Sequence, residues 1–157
     1  MEVRFWKVKR NGRGNCCWEA TRGKRTRVPG SAMALGSEDR LPHDIVQYVI
    51  EAATRYEGGF WDLLARGATF KSTGRKRTRP GKAIIAENRA ELIESEQLAG
   101  RHAREWEEGK RTPVTVALDR ARAQWTALQL NEQLVFSWPS PNGEVRVVAS
   151  ATQVVPR

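Results

Sequence analysis

The residues best suited to acid–base or metal chemistry lie in one stretch, LPHDIVQYVIE, residues 41–51. On a helix His43, Gln47 and Glu51 fall at i, i+4 and i+8 and share a face, with Asp44 beside them. A histidine next to carboxylates can act as a general base or a metal ligand. His43, Asp44 and Glu51 are therefore the candidate catalytic residues of a His/Asp-dependent enzyme. Gln47 stands where a zinc site would use a second imidazole, and the only other histidine is His102. No metal and no cofactor is expected. The competing reading is structural: His43 and Asp44 fasten the start of a helix to the preceding loop.

A second constellation is electrostatic. The chain has 157 residues, 27 Lys and Arg against 18 Asp and Glu, and a net charge of +9. Residues 1–30 hold nine basic and two acidic side chains, and residues 71–82 hold six basic and none acidic. The rest of the chain is mildly acidic. Such asymmetry points to a polyanion, most simply the phosphate backbone of RNA or DNA, or else to an acidic protein partner. Lys71, Arg75, Lys76, Arg77, Arg79 and Lys82 are the candidate phosphate contacts. Gly74, Pro80 and Gly81 argue for an exposed basic loop over 71–82 with no regular structure. No Gly-x-x-x-x-Gly-Lys-Ser/Thr loop is present, so nucleotide hydrolysis of that type is disfavoured.

A third constellation interleaves rings with cations at the N-terminus. Phe5, Trp6 and Trp18 sit among Lys7, Lys9, Arg10, Arg13 and Arg22. On paired strands, Trp6 or Trp18 could stack on bases while Lys7, Arg10 and Arg13 meet phosphates. The same rings could equally form the inner face of a hairpin packed on helices.

Part of this pattern resembles a family of small uncharacterised bacterial proteins. LPHDIVQYVIE followed by GGFWDLLARGATF carries the resemblance over about residues 41–70, through Pro42, His43, Asp44, Glu51, Gly59, Phe60 and Phe70. The family pattern has a Leu-Pro-His-Asp helix start, a second histidine one turn later and a following Gly-Phe helix. This chain has Gln47 at the second histidine. The resemblance implies an organisation of elements and no established activity.

The elements that must position these residues follow from periodicity and punctuation. Residues 2–10 and 15–22 read as a hairpin around Asn11-Gly12-Arg13-Gly14, with 24–28 as a short third strand ending before Pro29-Gly30. Residues 31–40 read as a loop. A helix starts at Pro42 and runs to Glu57-Gly58-Gly59, and FWDLLAR forms a second helix stopped by Gly67. A charged helix is expected over 87–108, with Leu92, Ala99, Ala103 and Trp106 on its apolar stripe. Thr112-Pro113 then opens a helix reaching to about Asn131, patterned by Val114, Ala117, Leu118, Ala121, Trp125 and Leu128. Residues 133–138 and 144–149 form a C-terminal hairpin, and 150–157 extend its last strand or fray.

The expected fold is a single α+β domain over 1–157, with a small antiparallel sheet from N- and C-terminal hairpins packed against about four helices. Cys16 and Cys17 are the only cysteines and, being adjacent, do not suit a mutual disulfide. No apolar run approaches the length of a membrane span or a signal sequence. A cytoplasmic location is the simplest expectation. The leading functional expectation is a non-enzymatic nucleic-acid-binding accessory protein, RNA preferred and ribosome association conceivable. A protein-interaction module or regulatory subunit is the alternative.

Overall fold

A computed structural model describes residues 1–10, 13–23, 26–32, 40–73, 76–139 and 145–149. Five strands form one antiparallel sheet: β1 (Glu2–Arg10), β2 (Arg13–Arg22), β3 (Thr26–Ala32), β4 (Glu132–Ser137) and β5 (Val145–Ala149), in the order β3-β2-β1-β4-β5. The helices between β3 and β4 are α1 (His43–Thr54), α2 (Phe60–Arg66), α3 (Arg79–Glu87), α4 (Arg89–Glu107) and α5 (Pro113–Ala127). The α+β class with N- and C-terminal strands around a helical centre is the one expected. The basic segment departs from expectation. Residues 71–73 form a 3-10 turn and α3 begins at Arg79, so 71–82 is not devoid of regular structure. The charged helix is α4, within two residues of the expected 87–108, and Asn88 separates it from α3, its Nδ2 donating to the Ile84 carbonyl at 2.8 Å.

Register decides which side chains enter the core. Phe5 lies opposite Trp18 and opposite Leu134, and Val3 lies opposite Ala20 and Phe136. Directly opposed residues share a sheet face, so these side chains form one apolar surface. All of them are buried. Trp61 of α2 reaches into this surface and packs edge-on against Phe5, Trp18, Tyr48 and Phe60, with ring centroids 4.9–5.7 Å apart. Edge-to-face contacts suit the ring quadrupoles and add to the area buried. Arg4, Trp6, Val8, Cys17, Glu19 and Thr21 alternate onto the opposite face and are half-exposed.

Turn and cap chemistry accounts for the helix boundaries. Pro42 is the N-cap of α1, which thus starts one residue after the expected Pro42, and Arg55 ends the helix in the left-handed region at φ 52°. Gly67 ends α2 at φ 109°, a conformation that favours glycine. Thr112 opens α5 with a capping box: its Oγ1 accepts from Thr115 N and its own N–H donates to Thr115 Oγ1. β3 continues through Pro29-Gly30, where it was expected to stop. As an edge strand it tolerates a proline without losing a ladder bond. Among the described residues no helix is long and apolar enough to cross a membrane.

Among the described residues one buried hydroxyl has no partner. Tyr48 is 1% exposed and its Oη has no hydrogen-bond partner among the described residues. Desolvation raises its pKa well above the usual phenol value. An unsatisfied buried hydroxyl costs about 1–3 kcal/mol. Tyr48→Phe is therefore expected to unfold at the same urea concentration as the parent or a higher one. A clear drop in the midpoint would show that the hydroxyl has a partner.

Candidate nucleic-acid interface and adjoining pocket

The basic segment is anchored from beneath by apolar and hydroxyl groups. Phe70 packs on Phe60 at 4.5 Å between ring centroids. Thr73 is buried and its hydroxyl donates to the Phe70 carbonyl at 2.8 Å. Thr78 caps α3, its Oγ1 accepting from Gly81 N at 3.1 Å, while Thr78 N donates to Thr69 Oγ1. Gly81 has no room for a side chain, since a Cβ there would lie 2.4 Å from Thr69 Oγ1. The segment thus has fixed footings, and its cations point the other way. Lys71, Lys76, Arg77, Arg79 and Lys82 are all exposed. None joins an ion pair among the described residues. Arg75 lies outside the described residues.

The sequence around these cations has no carboxylate from Leu63 to Ala86. That contrasts with Arg4, Arg66, Arg111 and Arg122, each paired with Glu or Asp. Arg79 also sits in the first turn of α3, where the helix dipole is already positive and no acid compensates it. Positive charge is therefore concentrated along this segment.

The N-terminal candidates separate from one another. Trp18 is 3% exposed, and its Nε1 donates to Asp44 Oδ2 at 2.7 Å, so it is a core residue and not a stacking platform. Lys7 shares the core-facing side of β1 with Val3 and Phe5. Its Nζ donates to the Leu128 and Thr126 carbonyls at the end of α5 and lies 5.4 Å from the Trp125 ring centre. A cation there neutralises exposed carbonyls at a helix C-terminus, which is a structural task. Trp6 alone of the candidate rings lies half-exposed on the open sheet face, opposite Cys17. Arg10 and Arg13 lie on paired strands, with side chains outside those described.

The helix-face trio is also divided. Glu51 is fully buried and accepts four hydrogen bonds, from Gln47 Nε2, Ser95 Oγ, Phe60 N and Trp61 N, at 2.9–3.0 Å. Phe60 and Trp61 are the first residues of α2, so Glu51 caps that helix from a distance. Burial pushes its pKa up, against the downward pull of its four donors. Both oxygens are engaged, which removes Glu51 from consideration as a base or ligand. Gly59 explains how the carboxylate gets so close: a Cβ there would lie 2.5 Å from Glu51 Cδ. Asp44 accepts from Trp18, and His43 Nδ1 is 3.5 Å from Asp44 Oδ1. That contact with Asp44 raises the His43 pKa, with desolvation opposing it.

Gln47, Asp44 and His43 face a pocket of about 230 Å³. Trp18, Phe60 and Trp61 form its aromatic side. His43, Asp44, Gln47 and Glu96 form its polar rim, and Ser72 joins it to the basic segment. Gln47 Nε2 donates both to Glu51 and to Glu96 Oε1. Among the described residues no three His, Cys, Asp or Glu side chains gather closely enough to hold a metal ion. Asp44 thus ties a core indole to the pocket rim. Asp44→Ala leaves that indole N–H without its acceptor and removes the acid from the first turn of α1. A loss of about 2–3 kcal/mol is expected in urea melts. A loss below about 0.5 kcal/mol would show that water replaces the carboxylate at little cost.

Remote tertiary contacts carried the functional residues that the sequence did not reveal: Ser95 and Glu96 come from α4, and Ser72 from the 3-10 turn. No periodicity links them to residues 43–51. Gly59 was the one local signal, a glycine without a positive φ whose side chain is excluded by a neighbour. No protein-family model matches the chain, and no curated protein or solved structure matches it.

Proposed function

We propose that the protein is a non-enzymatic nucleic-acid-binding accessory protein with RNA as its preferred ligand. The observation that carries this reading is the basic segment: five exposed cations, none paired with a carboxylate among the described residues, on a backbone anchored by Phe70, Thr73 and Thr78. Such a surface matches a phosphate backbone, and neutralising phosphates releases condensed counterions. RNA is favoured over duplex DNA because the longest described helix, α4, does not suit the major groove. Its exposed residues mix signs, Glu91, Glu94, Glu96 and Glu107 with Arg89, Arg101 and Arg104, and such a surface does not complement a groove lined with phosphates. Trp6 on the open sheet face supplies one ring for stacking on an unpaired base.

The test is fluorescence anisotropy of labelled single-stranded RNA, hairpin RNA and duplex DNA with nuclease-treated protein over a salt series. Binding of RNA whose affinity falls steeply with salt, and exceeds that for the DNA duplex, upholds the reading. Affinity that is weak and indifferent to salt would refute it.

A further inference from the structure

We propose that the pocket between α1, α2 and α4 binds a small organic cation, with a planar guanidinium group as its best match. The inference stands apart from nucleic-acid binding and does not need it. Among the described residues no Lys or Arg lines this pocket, whereas two carboxylates do. Each carboxylate is pinned through one oxygen. Asp44 Oδ2 accepts from the Trp18 indole, and Glu96 Oε1 accepts from Gln47. The second oxygen of Glu96 has no protein partner among the described residues, and that of Asp44 has only the 3.5 Å contact from His43. Two fixed acceptors are thereby offered beside aromatic rings.

That combination selects its ligand by chemistry. An anion would meet two carboxylates. A compact metal ion finds no set of three ligands among the described residues. A guanidinium presents N–H groups in a plane that matches carboxylate oxygens, and its face packs against rings such as the half-buried Phe60. The volume of about 230 Å³ accommodates such a group with part of its alkyl stem. The cation has two sources, a free small guanidine or an arginine side chain presented by another polypeptide.

Calorimetric titration with three probes tests this: agmatine, an end-blocked Gly-Arg-Gly peptide, and the same peptide with citrulline, whose urea group is neutral. The arginine peptide or agmatine is expected to bind at least about tenfold more tightly than the citrulline peptide. Glu96→Gln, at an exposed position that keeps an acceptor for Gln47, is expected to weaken binding at least about fivefold while leaving the melting temperature unchanged. Binding of agmatine alone upholds the proposal with a free small molecule as the source. Binding of the arginine peptide as well upholds it with a presented side chain. Measurable binding of the arginine and citrulline peptides with equal affinity, no binding of either cation, or indifference to Glu96→Gln would overturn it. None of these results bears on RNA affinity, which is measured separately.

Discussion

Glu51→Ala is expected to lower stability by about 4 kcal/mol or more, the largest effect of any single substitution considered. Phe60 N and Trp61 N at the buried start of α2 would both lose their acceptor. Each buried N–H without a partner costs about 1–3 kcal/mol. Removing one side of a buried charged network typically costs about 3–5 kcal/mol. Gln47 keeps Glu96 as a second acceptor, so its loss is the smaller part. Against a total stability of about 5–15 kcal/mol, the variant is close to unfolding. In a chain of this size the melting temperature should fall by roughly 10–15 °C. Glu51→Gln retains the volume but turns an amide donor toward a backbone donor, and about 1–3 kcal/mol is expected. A loss under about 1 kcal/mol for the alanine variant would show that α2 starts without this cap.

The same carboxylate imposes a pH dependence with a definite sign. Its pKa is raised in the folded protein by burial, so the folded state holds the proton more tightly than the unfolded chain. Stability from this group is therefore greatest at acidic pH. It declines as pH rises from the ordinary glutamate range to the raised folded value, then levels off. Glu51→Gln has no such proton to lose. Urea midpoints measured across this window should fall with pH in the parent relative to the variant. A parent profile parallel to that of Glu51→Gln would mean that the four donors offset burial completely.

Much of the scaffold was legible because its punctuation is local. Gly58-Gly59 and Gly67 bracket α2, and Thr112-Pro113 opens α5 where a cap and a first-turn proline belong. The misplaced features have non-local causes. The proline of β3 is acceptable only because that strand ends the sheet, a fact of topology. α3 is short and its larger apolar side chains are only Ile84 and Ile85, too few for a repeating period, although Thr78 and Pro80 mark its start. Trp6 and Trp18 differ by register parity. Arg10 pairs with Arg13, which sets Phe5 against Trp18 and Trp6 against Cys17 and sends the two indoles to opposite faces. A four-residue turn over 11–14 would set residue 10 against residue 15 and keep that parity. The expected hairpin thus already separates the two indoles but does not say which one faces the core. Glu51 shares a helix with His43, but its partners in α2 and α4 come from distant sequence. Tertiary structure therefore reassigns it from chemistry to capping.

Replacing Lys76, Arg77, Arg79 and Lys82 with alanine together is expected to weaken RNA binding by about two orders of magnitude near physiological salt. If each cation neutralises one phosphate of a single strand, the log–log salt slope becomes shallower by about 3. Parent and variant should then converge as salt approaches about 1 M, where the counterion term vanishes. Trp6→Ala should behave differently. Losing one stacked base costs about 1–3 kcal/mol and leaves the slope unchanged. The two variants together separate phosphate contact from ring contact. Stability provides the control. All four cations are exposed and outside any ion pair among the described residues, and Arg79 lies where the α3 dipole disfavours positive charge. The quadruple variant should melt at the parent temperature or slightly above it. A shallower slope with an unchanged melting temperature would identify the segment as a phosphate clamp. An unchanged slope would leave these charges no part in RNA binding, and the reading built on them would fall.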